Sequence, residues 1–201
     1  MGENTARRGA NWEARRQAII DTSAKVFAQG GYHGTGIAEL CEANDLGKGA
    51  LYHYIGSKEE LLVAITDLVM DEVLAGVDRV AASDGTPAER LRMLGNEYLD
   101  ILVRYPDHVW VLLHEFPALT GERATEFHKR RHVFESAVET IIRDGVKAGA
   151  FRKTQPRLAA LAWLGMHNHA YLWLHPGGKW SAGDVAENFA DLFLDGITPS
   201  A

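Results

Sequence analysis

The stretch Thr35–Leu62, TGIAELCEANDLGKGALYHYIGSKEELL, decides how the rest of the chain is read. Within Thr35–Ala43 the apolar residues Ile37, Leu40 and Cys41 fall at i, i+3, i+4, the spacing of one narrow helical face. Asn44-Asp45-Leu46-Gly47 follows, and residues of these types tolerate left-handed backbone, so the helix stops there and the chain turns. A second short helix is expected over Lys48–Tyr54. Isolated helices below about 12–15 residues are marginal in water, so its neighbours must hold it. Ser57-Lys58-Glu59-Glu60 then reads as a capping box, Ser57 with Glu60, opening a third helix at the apolar run from Leu61.

In the second helix Leu51 can turn inward toward Leu40 and Leu46, which leaves Lys48, Gly49, Ala50, Tyr52, His53 and Tyr54 outward or at the rim. A cation, two very small residues and three rings with polar ends suit a DNA major groove. Small residues permit close approach, Lys48 meets phosphate or a guanine edge, and tyrosine hydroxyls bond phosphate oxygens. The amides at the start of the third helix, with Lys58 beside them, form a phosphate clamp.

On these residues the stretch resembles the DNA-binding domain of the TetR family of bacterial transcription regulators. The likeness covers roughly residues 13–62 and is carried by Thr35-Gly36-Ile37, by Lys48-Gly49-Ala50-Leu51-Tyr52-His53-Tyr54 and by Ser57-Lys58-Glu59-Glu60-Leu61-Leu62. The chain departs from the family at Asp45, where glycine is usual, at Gly47, where serine or threonine caps the recognition helix, and at Ile55, where phenylalanine stands. Glycine in place of a serine cap costs only a few tenths of a kcal/mol. The resemblance implies a homodimer on a palindromic double-stranded DNA operator, repression by blocking polymerase, and release by a small molecule. The DNA-contacting set it implies is Thr35, Gly36, Lys48, Gly49, Ala50, Tyr52, His53, Tyr54 and Lys58.

The composition agrees with a soluble globular chain: 201 residues, 46% hydrophobic and 24% charged, with no run of apolar residues long enough to span a membrane. The N-terminus has no apolar h-region, so a cytoplasmic location is expected. The single Cys41 forms no internal disulfide and reads as a small buried residue. The net charge of −6 runs against a nucleic-acid partner until its distribution is considered. Arg7, Arg8, Arg15, Arg16, Lys48 and Lys58 all fall in the first 60 residues, so an acidic second domain accounts for the sign.

The expected organisation is all-α: a flexible arm over 1–12, a three-helix domain with a helix-turn-helix over 13–60, and a larger C-terminal helical ligand-binding and dimerisation domain over 61–201. Ile20, Ala24 and Phe27 make a helix over Glu13–Gln29 that covers the turn motif and ends at Gly30-Gly31. A connecting helix runs from Leu61 to about Val80. Thr86-Pro87-Ala88-Glu89 carries cap, first-turn proline and box glutamate for a helix to about Arg104. His108–Glu115 and Gly121–Ala148 follow as helices. In the last two, Pro156–Leu174 and Ala182–Gly196, the apolar surface is wider than one stripe and must be buried on two sides. Leu161, Leu172, Val185, Phe189, Leu192 and Phe193 are therefore assigned to a four-helix dimer interface.

The large apolar and aromatic residues Trp110, Phe116, Phe127, Phe134, Trp163 and Tyr171, with His114, His167 and Asn168 as polar groups, suit a lipophilic effector pocket. Trp180 ahead of Asp184-Val185-Ala186-Glu187 resembles family members that sense acyl-coenzyme A thioesters, which makes such thioesters one candidate. Plain packing is the alternative for each residue singly. His128 and His132 share a helix face but supply only half a zinc site, so no metal and no cofactor is assigned. No phosphate-binding glycine loop, nucleophile elbow or paired-carboxylate signature occurs, so no catalytic residue is assigned. The alternatives left open are a small helical hydrolase or lyase using His167 or His169 with Glu115, and a helical partner-binding module without DNA affinity.

Overall fold

The computed structural model describes the backbone of residues 2–198 and the side chains of residues 9–198. It is all-α. The helices are α1 (Gly2–Gly30), α2 (Ile37–Ala43), α3 (Lys48–Ile55), α4 (Lys58–Ala81), α5 (Pro87–Arg104), α6 (Pro106–His114), α7 (Gly121–Lys147), α8 (Pro156–His169) and α9 (Ala182–Ile197), with single 3₁₀ turns at Phe116–Ala118 and Ala170–Leu172. No described helix is long and apolar enough to cross a membrane. Residues 2–12, expected as a flexible arm, have helical backbone continuous with α1, whereas Met1 lies outside the described residues. Pro106 ends α5 as expected, and it also begins α6, where a missing amide costs nothing.

The chain forms two compact units. The first comprises the described residues up to Val69 with Asp107–Thr125, and the second Met70–Pro106 with the described residues from Glu126 onward. This differs from the boundary at residue 60 read from the sequence. The segment 107–125 joins the first unit through named contacts: Thr120 Oγ1 donates to Glu59 at 2.9 Å, Arg123 to Glu60 at 3.1 Å, and His108 Nε2 lies 3.2 Å from Asp21.

In the first unit α1 lays Ile19, Ile20, Ala24 and Phe27 against Leu40 of α2, Leu51 and Ile55 of α3, and Leu61 and Ile65 of α4, all buried. Ile55 thus fills the core position where phenylalanine was the family's usual residue. The α3–α4 corner turns at Gly56 with φ +70°, a left-handed backbone that favours glycine; a Cβ there would also displace the Glu60 carboxylate.

In the second unit α5 carries the predicted capping box between Thr86 and Glu89 and packs chiefly on α9. α9 opens with a second box, Ser181 with Asp184, that the sequence reading did not single out. The core joins Leu91, Tyr98 and Leu102 of α5 to Phe134, Val138 and Ile142 of α7, Trp163 of α8 and Phe193 of α9. α8 approaches α5 closely at Gly95, where a Cβ would lie 2.8 Å from His167 Nε2.

Candidate nucleic-acid interface

The turn between α2 and α3 is held from beneath by polar groups. Asn44 is buried, and its side-chain amide donates to Ser23 Oγ at 3.3 Å and to the Leu40 carbonyl at 2.8 Å. Asp45 takes φ +52°, the left-handed conformation for which glycine is the family's usual choice and which Asp tolerates. Gly47 caps α3 in extended backbone without a side-chain bond. Arg15 donates to the Asn44 carbonyl and Arg16 to the Tyr54 carbonyl, both at 3.2 Å. These two arginines, read as part of a basic footprint, therefore pin α1 to the turn and to the end of α3.

With Leu51 and Ile55 inward, Lys48, Gly49, Ala50 and His53 are exposed on one side of α3, and Tyr52 is half-buried at the rim with the Lys48 ammonium 6.0 Å from its ring. Gly36, the cap of α2, is exposed as well. Of the other expected contacts Thr35 is buried, while Tyr54 and Lys58 are half-buried, as Tyr52 is. Thr35 is 1% exposed and its hydroxyl donates to the Gly31 carbonyl at 2.9 Å, so its role is to close the α1–α2 corner. Tyr54 is half-buried and stacks on Trp12 at 5.7 Å.

Lys58 places its ammonium 4.3 Å from the centre of the Tyr32 ring. Burial pushes its pKa down, opposed by the carboxylates of Glu115 and Glu39. The lysine ammonium, expected as part of a phosphate clamp, thus lies over a ring. The Ser57 cap is half a box: Ser57 Oγ accepts from the Glu60 amide at 3.0 Å, but the Ser57 amide bonds the Ile55 carbonyl while the Glu60 carboxylate receives Arg123. Asn44 was read only as a turn residue, and its buried bonds with Ser23 and the Leu40 carbonyl were missed by sequence reasoning. Their signal, two small polar residues inside apolar faces, is too common to stand out.

The expected pocket residues divide between the units. Trp110, His114 and Phe116 belong to the first, where Trp110 and His114 stack at 4.4 Å. Phe127, Phe134, Trp163, His167, Asn168 and Tyr171 belong to the second. There Tyr98 stacks on Phe134 at 5.4 Å, Trp163 on His167 at 3.8 Å, and the Tyr98 hydroxyl donates to Asn168 Oδ1 at 2.6 Å. His167 Nδ1 lies 2.8 Å from the Trp163 carbonyl, and burial lowers its pKa to about 4. These side chains pack on one another, with Phe134, Trp163 and His167 buried. The second unit has a cleft of about 300 Å³ elsewhere, among α4, α5 and α7, and none of the expected residues lines it.

The expected dimer residues also divide. Val185 and Phe193 are buried within their own unit and Phe189 is half-buried, whereas Leu161, Leu172 and Leu192 are exposed, joined by Leu158.

The comparisons with known proteins agree with this geometry. Residues 19–65 match the family described as bacterial regulatory proteins, tetR family, and residues 84–197 match the tetracyclin repressor-like C-terminal domain. The crystal structure of PfmR, a TetR family transcriptional regulator from Thermus thermophilus, is 31% identical with a TM-score of 0.82, over 88% of this chain and 97% of that one. The crystal structure of AibR in complex with isovaleryl coenzyme A and operator DNA is 30% identical with a TM-score of 0.78, over 93% and 100%. The HTH-type transcriptional repressor KstR2 of Rhodococcus jostii (strain RHA1) is 25% identical over 187 residues, 91% of each chain. With a reading helix held outward by a buried frame and a family match to both parts, the chain belongs to the TetR family and is a DNA-binding transcriptional regulator.

Proposed function

We propose that the chain is a repressor that binds a palindromic operator as a homodimer and leaves it on binding a lipophilic small molecule, an acyl-coenzyme A thioester foremost. The observation that carries the effector class is the likeness to AibR, which was crystallised with isovaleryl coenzyme A and operator DNA. The repressor's DNA contacts are Lys48 and Tyr52 in a major groove, with Gly49 and Ala50 allowing the backbone close to the base edges. Leu158, Leu161 and Leu192, at 65%, 44% and 64% exposure, form the apolar surface that a second copy covers. The effector acts only through its differential affinity for the released form.

A mobility shift with the DNA upstream of the protein's own gene tests the operator and effector parts. Acyl-coenzyme A thioesters of graded chain length, free fatty acids and flat aromatic compounds are titrated into the complex. Release by a thioester is expected, and a complex untouched by every compound at soluble concentrations overturns the effector reading. Leu192→Glu should yield monomers in sedimentation, and dimers persisting at low micromolar concentration would sink the assigned surface.

A further inference from the structure

The cleft of about 300 Å³ in the second unit has walls of Val77 and Val80 from α4, Leu94 from α5, and Ala137 and Ile141 from α7. On α7 the lining positions 133, 136, 137, 140, 141 and 144 repeat at helical spacing, so one face of that helix is turned to the space. Small residues, Ser136 and Ala137, stand in that face, where larger ones would close the gap.

Arg90 is the cation of this lining. Its Nη2 donates to the Ser83 carbonyl at 2.6 Å, while Nε is buried and has no acceptor. Other arginines of the same unit are neutralised: Arg79 pairs with Glu97 and Arg92 with Asp191. Arg90 forms no ion pair among the described residues, and Asp144, the carboxylate of the lining, is not within pairing distance of it. A charged donor kept from water without an acceptor is costly and therefore rare. A guanidinium is also the side chain best shaped to receive a carboxylate or phosphate.

We propose that this cleft binds an amphipathic anion, with an apolar chain along Val77, Val80, Leu94 and Ala137 and an anionic oxygen group received by Arg90. The proposal deepens the effector reading given above and rests on it only for the consequence of binding. It places the anchor on α5 and the chain against α7, away from the packed rings of Phe134, Trp163 and His167.

The head group is a carboxylate, as in a free fatty acid, or a phosphate, as in a coenzyme A thioester, and the test separates them. Decanoate, methyl decanoate and octanoyl-coenzyme A are titrated into the full-length protein by calorimetry, with Arg90→Gln and Ala137→Phe beside the wild type. The wild type should bind one of the two anions about tenfold or more tighter than the ester. Arg90→Gln should remove that preference while leaving ester binding unchanged, and Ala137→Phe should block every compound. Arg90 also holds Ser83, so each variant is melted first; Ala137→Phe leaves Arg90 in place and keeps the test valid where Arg90→Gln does not fold.

Anion binding unchanged in a folded variant of either kind overturns the proposal, as does absence of binding by both anions to the wild type. Operator release is followed in parallel. A ligand that needs Arg90 and Ala137 but leaves the operator complex intact supports the cleft and overturns the effector reading. Release that survives both substitutions does the reverse.

Discussion

The two units bury aromatic and polar groups to opposite ends. In the first, Phe27, Leu51, Ile55 and the buried Asn44–Ser23 bond form a frame whose product is an outward face: Lys48, Gly49, Ala50 and His53. In the second, Tyr98 stacks on Phe134 and Trp163 on His167, and one cleft lies away from these rings among α4, α5 and α7 while another is lined by Trp173, Trp180 and Phe189. A short helix with one apolar stripe has little choice about what it exposes. A bundle with many large side chains has several ways to pack, and its cavity falls wherever the volumes fail to meet.

The contrast can be broken from the frame first. Leu51 is fully buried, so Leu51→Ala should cost about 2–5 kcal/mol in urea unfolding of the first unit and abolish operator binding with it. A variant of unchanged stability would mean that α3 is not held from within. In the second unit the sharpest probe is His167. Its folded pKa, lowered to about 4, lies below the ordinary value near 6.5, so the unfolded chain takes up the proton first as pH falls. Stability is therefore complete above about pH 6.5 and declines down to about pH 4, by about 3 kcal/mol. His167→Gln should shrink the difference between denaturation at pH 7 and pH 4 by roughly that amount. An undiminished pH dependence would show that the imidazole is not buried neutral.

On the outward face the effects are smaller and leave folding alone. Lys48→Ala should weaken operator binding by about 1–3 kcal/mol with an unchanged melting temperature. If a base is its partner, the loss concentrates at one operator position; if phosphate, the loss is uniform and the salt slope falls by about one. Gly47→Ser, which supplies the missing cap of α3, should add only a few tenths of a kcal/mol to stability in the same urea titration. A gain above that range would mean that the extended backbone at Gly47 is held by more than its lack of a side chain.

The legibility of the chain follows the same division. The helix-turn-helix, its inward Leu51 and its outward small residues were readable because they depend on spacing within about twenty residues. The caps of α5 were readable for the same reason, since Thr86 and Glu89 meet through local backbone alone. Thr35, Tyr54 and Lys58 make contacts that periodicity does not show: Thr35 donates to the Gly31 carbonyl four residues back, while Tyr54 and Lys58 meet the Trp12 and Tyr32 rings that the fold brings near. Val185 and Phe193, expected at the dimer interface, are buried within their own unit. Their helix is apolar on two sides, and periodicity does not say which side meets its own core.

The sequence by itself determined the all-α class, the order of helices, the family of the reading head and the residues of α3 that face away from the core. It did so because helical periodicity, turn residues and caps act over a few residues and leave few alternatives. Only the tertiary structure decided that the segment 107–125 packs with the first unit, that Trp163 and His167 are buried against each other, and that a cleft lies beside Arg90. Those outcomes depend on how the volumes of side chains from three or four helices sum at one place, and no single segment carries that sum.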